Sequence, residues 1–85
     1  MTDPARAAAQ MSAILSPEFR AVIIDAAGHL ETIARSARNV ALLIESNPLA
    51  NVDAIVAQMD RAMKAIEALH AMGDEHSELI KVLRP

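Results

Sequence analysis

The chain has 85 residues, of which 53% are hydrophobic but only one is aromatic. Eighteen alanines and two glycines favour helix over strand, and the absence of cysteine excludes a disulfide framework and thiolate chemistry. The net charge of −3, with acidic and basic residues interspersed, disfavours nucleic acid as a partner because a phosphate backbone attracts a basic surface.

The sequence contains no pattern of a signal peptide, and no apolar run approaches the length of a membrane span. We therefore expect a soluble cytoplasmic protein that has no membrane partner. Glycine-rich phosphate loops and nucleophile motifs are also absent from the sequence, so we expect neither a cofactor nor catalytic activity.

Two capping signals predict the first half of the chain. Asp3-Pro4 and Ser16-Pro17 each place a capping side chain before a proline, which suits the first helical position because its missing N–H has no partner there. We predict a short helix over about 4–15 and a long one over about 17–46, which Asn47-Pro48 ends.

A third helix is predicted over about 51–72, capped by Asn51 or Asp53. Gly73 follows it, where a left-handed C-terminal cap is expected. Asp74 then begins a fourth, short helix over about 74–84. No repeat or long linker interrupts the chain, so residues 1–85 are predicted to form a single all-α domain.

The long helix carries a heptad pattern that predicts packing along its whole length. Its apolar residues are spaced alternately four and three apart: Phe19, Ile23, Ala26, Leu30, Ile33, Ala37, Val40 and Ile44. Val22, Ala27, Ala34 and Ala41 widen this pattern. The third helix has an equally wide apolar stripe, which contains Val52, Ile55, Val56, Met59, Ala62, Met63, Ile66 and Leu69. Because the connection between these helices is short, they are predicted to form an antiparallel hairpin.

One hairpin cannot bury both wide stripes, and chains of this size gain stability by association. We therefore predict a homodimer in which two hairpins form a four-helix bundle. A monomeric bundle with a curved or kinked long helix is the alternative. The predicted dimer core consists of Phe19, Ile23, Leu30, Ile33, Val40, Ile44, Val56, Met59, Met63 and Ile66.

Four further apolar residues are predicted to lie outside that core and to contact another protein: Ile24, Leu42, Leu43 and Met72. The terminal helices offer apolar residues of their own and would remove this surface by folding over it. The function predicted from these features is a non-enzymatic protein-interaction module, such as a regulator, adaptor or chaperone-like protein. Small alanine-rich helical hairpins occur among bacterial and phage regulators and secretion chaperones, but a similar fold does not fix a function.

Three side-chain groupings suggest other functions. Glu67 and His70 have the Glu-x-x-His spacing of metal ligands in helical bundles, but the long helix offers no inward carboxylate to complete a site, so no metal is expected. Asp25 and His29 are expected to form a surface pair one helical turn apart. A positive strip of Arg20, Arg35 and Arg38 supports the alternative function, a small DNA-associated transcriptional regulator.

Overall fold

A computed structural model describes residues 3–84, which are all-α: about 88% of them are helical and none of them is in a strand. The helices are α1 (Pro4–Ile14), α2 (Pro17–Ser46), α3 (Val52–Glu75) and α4 (Ser77–Leu83). The predicted all-α fold and the hairpin of the two long helices are confirmed, since α2 and α3 pack against each other.

The first two helices begin at the predicted capping residues. The Asp3 carboxylate accepts a hydrogen bond from the backbone N–H of Ala5 at 3.0 Å. The Ser16 hydroxyl oxygen accepts one from the N–H of Phe19 at 3.1 Å. Each side chain satisfies a backbone donor that has no partner within its own helix.

Two asparagines build the turn between α2 and α3. The Asn47 side-chain oxygen accepts a hydrogen bond from the N–H of Ala50 at 3.2 Å. The Asn51 side chain does not cap α3; instead its amide nitrogen donates to the carbonyl of Leu43 at 3.1 Å. Asn51 thereby satisfies a carbonyl of the last turn of α2 and fixes the reversal of the chain.

The third helix is longer than predicted, and the expected cap at Gly73 is wrong. No residue between 3 and 84 has a positive φ angle, and α3 continues through Gly73 to Glu75. The His76 N–H donates to the Met72 carbonyl at 3.0 Å, so the helical hydrogen bonds pass across the glycine. Contacts of Met72 and His76 with the rest of the fold hold this last turn, and α4 begins at Ser77 rather than at Asp74.

The short helices lie together at the end of the hairpin opposite the turn. Helix α1 contacts α4, and the Arg6 guanidinium donates a hydrogen bond to the Arg84 carbonyl. At the same end, His76 Nδ1 lies 2.9 Å from a Glu18 carboxylate oxygen and links the α3–α4 junction to the start of α2. The terminal helices therefore leave most of the length of α2 uncovered.

The molecule is elongated. Its dimensions are 59 × 25 × 16 Å, and its radius of gyration is 18.2 Å, whereas a compact domain of this length has about 12 Å. Its accessible surface is 6481 Å², about 1,600 Å² more than the roughly 4,900 Å² of a compact monomer of this mass. A single copy is thus a two-layer structure with an unusually large surface.

Candidate interaction surface

The contact between α2 and α3 buries few side chains completely. Ser36, Ala65 and Met72 are the buried residues of the described chain, with exposures of 3%, 6% and 9%. Asn39 and Gln58 meet across the helices, where the amide nitrogen of the former donates to the amide oxygen of the latter at 3.4 Å. Small residues allow the two helices to approach closely, but this seam provides little apolar burial for a single copy.

The larger apolar side chains of α2 lie beside this seam and are exposed. They form a continuous stripe whose members are spaced alternately four and three residues apart, each one position after a residue that faces α3. The stripe contains Ile23, Ala27, Leu30, Ala34, Ala37, Ala41 and Ile44.

Helix α3 has a matching exposed stripe with the same spacing and the same offset from its own seam. It contains Val52, Val56, Met59, Met63 and Ile66, which are 45–58% exposed, and it continues to His70. Four turns of helix thus present bulky apolar groups to solvent.

Both stripes lie on the same side of the hairpin. Each is offset by one residue, about 100°, from the side that faces the other helix. Because α2 and α3 run in opposite directions, the same offset turns both stripes toward one face. We call the two stripes together the apolar face, and the opposite side of the hairpin the polar face. Exposed apolar surface of this extent is typical of an interaction site.

The ten residues predicted to form a dimer core divide into two groups. Ile33 and Val40 are half-buried on the side of α2 that packs within the hairpin, and Phe19 is half-buried beside the terminal helices, where it lines the grooves next to α1 and α4. The other seven are on the apolar face and are 45–58% exposed: Ile23, Leu30, Ile44, Val56, Met59, Met63 and Ile66.

The four residues predicted to contact another protein differ in how exposed they are. Ile24 and Leu42 are each 63% exposed, and the terminal helices do not cover them. Ile24 is on the outer side of α2, and Leu42, seven residues after Arg35, is where the outer side meets the polar face. Leu43 is half-buried in the hairpin seam. The exposed position expected for Met72 is wrong: Met72 is buried because α3 extends past it and holds it against α2.

The polar face carries basic residues that the sequence did not group. A shallow cleft of about 290 Å³ is lined by residues from both helices, including His29, Thr32, Arg61 and Lys64. Arg35 lies one turn from Thr32 on this side of α2. Lys64 is already paired with Asp60, whose carboxylate oxygen lies 3.0 Å from its Nζ. The cleft therefore offers a few cations close to acidic neighbours rather than a basic surface.

The three arginines of the expected positive strip, Arg20, Arg35 and Arg38, are all exposed on α2. Arg20 lies 15 residues before Arg35, about 22 Å along the helix. The Asp25–His29 pair is absent from the ion pairs of residues 3–84, where His29 is half-buried.

His70 lies at the end of the apolar stripe and points into solvent. Its Nε2 is 4.0 Å from a carboxylate oxygen of Asp74, and both side chains are at least 80% exposed. Within residues 3–84, no three histidine or carboxylate side chains converge in the manner of a metal site. His76, for which the sequence suggested no role, is the histidine with a structural partner, Glu18.

An apolar groove lies where α1 turns into α2. It has a volume of about 670 Å³ and is lined by residues that include Ile14, Leu15, Phe19 and Ile24. A second groove of about 320 Å³ separates the start of α2 from α4. Both grooves adjoin the end of the apolar face at Ile23, so the exposed apolar surface continues onto the terminal helices.

None of the helices between residues 3 and 84 combines the length and the apolar character needed to cross a bilayer. No protein-family model, curated protein or solved structure matches the chain.

Proposed function

We propose that the protein is a helical interaction module that acts as a homodimer and has no catalytic activity of its own. The observation that carries the proposal is the apolar face, on which two exposed heptad stripes run side by side. A second copy presents an identical face, so pairing would convert two hairpins into one four-helix core.

The size of the exposed surface supports this assembly. The excess of about 1,600 Å² over a compact monomer exceeds the roughly 800 Å² that each partner buries in a typical stable interface. The apolar face has seven large apolar side chains of the predicted core that are 45–58% exposed, and the hairpin seam includes the polar residues Ser36, Asn39 and Gln58. A single copy thus leaves a large apolar surface in water, which pairing would remove.

In such a dimer, the outer side of α2 is the surface that remains for a second protein. Ile24 and Leu42 lie there, and Ile24 also lines the groove at the α1–α2 corner. A groove with apolar walls suits the apolar side of an amphipathic helix. We expect Ile24→Ser to reduce binding of such a helix while leaving the mass of the dimer unchanged.

The proposal is tested by the mass of the protein in solution and by one matched pair of variants. Light scattering should give twice the chain mass at micromolar concentration. Leu30→Asp places a charge on the apolar face, where its desolvation in the dimer costs several kcal/mol. It should abolish the dimer, and helicity should fall with it because small obligate dimers often lack a stable monomer.

Thr32→Asp is the control, because it introduces the same charge two residues away on the polar face. It should retain both helicity and dimer mass. A monomer mass for the unaltered protein, or equal loss of the dimer in both variants, would exclude the apolar face as the interface.

A further inference from the structure

Helices α2 and α3 differ in the size of the residues that they place on the apolar face. The α2 stripe has alanine at positions 27, 34, 37 and 41 and is interrupted by Leu30, whereas the α3 stripe has valine, methionine or isoleucine at each position before His70. From position 34 to position 41 the apolar face therefore has small side chains on α2, and it has large ones along α3. A second copy must fit this uneven surface.

The hydrogen bond between Asn39 and Gln58 shows which residues of the two helices lie level with each other. Because α2 and α3 are antiparallel, a residue that lies a given number of positions before Asn39 is level with the residue that lies the same number of positions after Gln58. Thr32 and Ala65, seven residues from the respective anchors, line the same cleft, which agrees with this alignment.

The same alignment can be followed along the apolar face. Ala34 and Met63 are each five residues from their anchor, so they lie level. Ala41 lies level with Val56, two residues from the anchors on the other side, and Ala37 is within one residue of the level of Met59. Through the middle of the hairpin, small residues of α2 thus lie level with large residues of α3.

Two symmetric pairings bring the apolar faces of two hairpins together. In the first, the two-fold axis is parallel to the helices. The same residue of both copies then lies at the same position along the bundle, and α3 of each copy lies on α2 of its partner. Met63 then meets the partner's Ala34, and Val56 meets the partner's Ala41. Along the middle of the interface, the large side chains of each α3 stripe lie against the alanines of the partner's α2 stripe.

In the second pairing, the two-fold axis is perpendicular to the helices. Helix α2 then meets α2 of the partner, and α3 meets α3. Alanines face alanines on one side, while methionines face methionines on the other. Protein interiors are packed at nearly uniform density, so this pairing leaves one side loose or crowds the other.

We propose that the occupant of the apolar face is a second copy in the first pairing, with α3 of each chain on α2 of the other and both turns at the same end. This inference rests on the proposed homodimer and adds its arrangement. Neighbouring helices are antiparallel in both pairings, as in simple up-and-down four-helix bundles, so the sizes of the facing side chains distinguish the two. At the two ends of the interface, Leu30 meets the partner's Ile66, and Ile44 meets the partner's Val52.

Cross-linking between single cysteines tests the arrangement, because the natural chain contains no cysteine. Chains with Ala34→Cys and chains with Met63→Cys, distinguished by a tag on one of them, are unfolded, mixed and refolded. A short bismaleimide should then join residue 34 of one chain to residue 63 of the other in most mixed dimers. Neither variant alone should cross-link efficiently, since like positions lie diagonally across the bundle.

A second mixture, of Ala41→Cys with Val56→Cys chains, should behave in the same way and guards against misfolding of the first pair. Thr32→Cys mixed with Met63→Cys is the control for random collision, because residue 32 is on the polar face, and it should give little product. Circular dichroism checks that each variant is helical.

The alternative pairing makes a different prediction: because α2 then lies on α2, Ala34→Cys would cross-link to a cysteine on the partner's α2 stripe, either alone or mixed with Ala37→Cys or Ala41→Cys, and the mixtures of positions 34 with 63 and 41 with 56 would not react. That result with a dimer mass retained would overturn the arrangement and leave the proposed homodimer intact. A monomer mass for the refolded mixture and for the unaltered protein would overturn both.

Discussion

The two faces of the hairpin are built from the same two helices, yet they have opposite character. On the apolar face, side chains such as Leu30 and Met59 are more than half exposed without any polar group among them. On the polar face, Thr32 turns its hydroxyl back to the Gly28 carbonyl at 3.1 Å, and Lys64 pairs with Asp60. These polar groups have their partners within a single copy, whereas the apolar side chains are stabilised only when another surface covers them.

This difference shows how a short chain can divide its apolar residues between two tasks. The hairpin seam uses small residues such as Ser36 and Ala65, which hold α2 and α3 close together. The large residues are placed one step around each helix, where they are available to a second copy. Contacts within one copy and contacts between two copies would therefore involve different residues, although folding and association of a small obligate dimer remain coupled.

The largest effect is expected from shortening the methionines of the apolar face. Met59→Ala and Met63→Ala should each weaken the dimer by about 2–5 kcal/mol if the side chains are buried on pairing, which is at least about 30-fold in Kd. Arg61→Ala and Lys64→Ala change the same two turns of α3 on the polar face and should shift the free energy by about 0.5 kcal/mol or less.

Sedimentation equilibrium of the four variants measures this contrast directly. Both methionines are already more than half exposed in one copy, so a large loss is expected only if they are buried between copies. Equal dissociation constants for the methionine and the basic-residue variants would mean that the apolar face is not the interface.

A smaller effect is expected from two adjacent leucines that the sequence does not distinguish. Leu43 is half-buried in the hairpin seam, and Leu42 is 63% exposed on the outer side of α2. Leu43→Ser removes apolar packing and places a hydroxyl in the seam, which should cost about 1–3 kcal/mol in the free energy of unfolding. Leu42→Ser should change that free energy by about 0.5 kcal/mol or less.

Urea unfolding of the two serine variants at one protein concentration gives both values. If Leu42→Ser destabilised the fold as much as Leu43→Ser, residue 42 would belong to the core, and the outer side of α2 would not be a surface for a second protein.

Gly28 permits a test on the polar face that should raise stability. It lies in the interior of α2, and apart from the neighbouring backbone of its own helix no atom lies within 4 Å of where a Cβ would be. Because glycine loses more backbone entropy than alanine when it enters a helix, Gly28→Ala should stabilise the fold by about 0.5–1 kcal/mol. Thermal unfolding followed by circular dichroism should show a higher midpoint, and no gain would indicate that the helix is bent or contacted there.

Helix capping and heptad spacing were sufficient to predict the all-α hairpin, because Ser16, Asn47 and the apolar periodicity act locally. The C-terminal end of α3 was not predictable in the same way: Gly73 suits a cap, but Met72 and His76 make distant contacts that keep the helix going. Local preference gave way to tertiary packing at this point.

The residues of the candidate site were predictable from the sequence, but their division between the hairpin seam and the apolar face was not. Positions such as Phe19 and Ile23 belong to one wide apolar stripe, and their spacing does not say which of them faces the other helix of the same chain. The rotation of α2 about its axis decides this, and it depends on how closely Ser36 and Ala65 let the helices approach. The adjacent leucines at positions 42 and 43 differ for the same reason.

The smallest effect is expected for nucleic acid, the partner of the alternative function. Arg35, Arg61 and Lys64 are the cations nearest the polar-face cleft, and Asp60 already neutralises one of them. Binding to a polyanion depends on released counterions and therefore needs several cations at once. We expect little retention on heparin at low salt, and Arg35→Ala with Arg61→Ala should elute at nearly the same salt concentration as the unaltered protein. Strong retention that these two changes remove would place a nucleic-acid site on the polar face, and the apolar face would then serve to pair two such sites rather than to define the function.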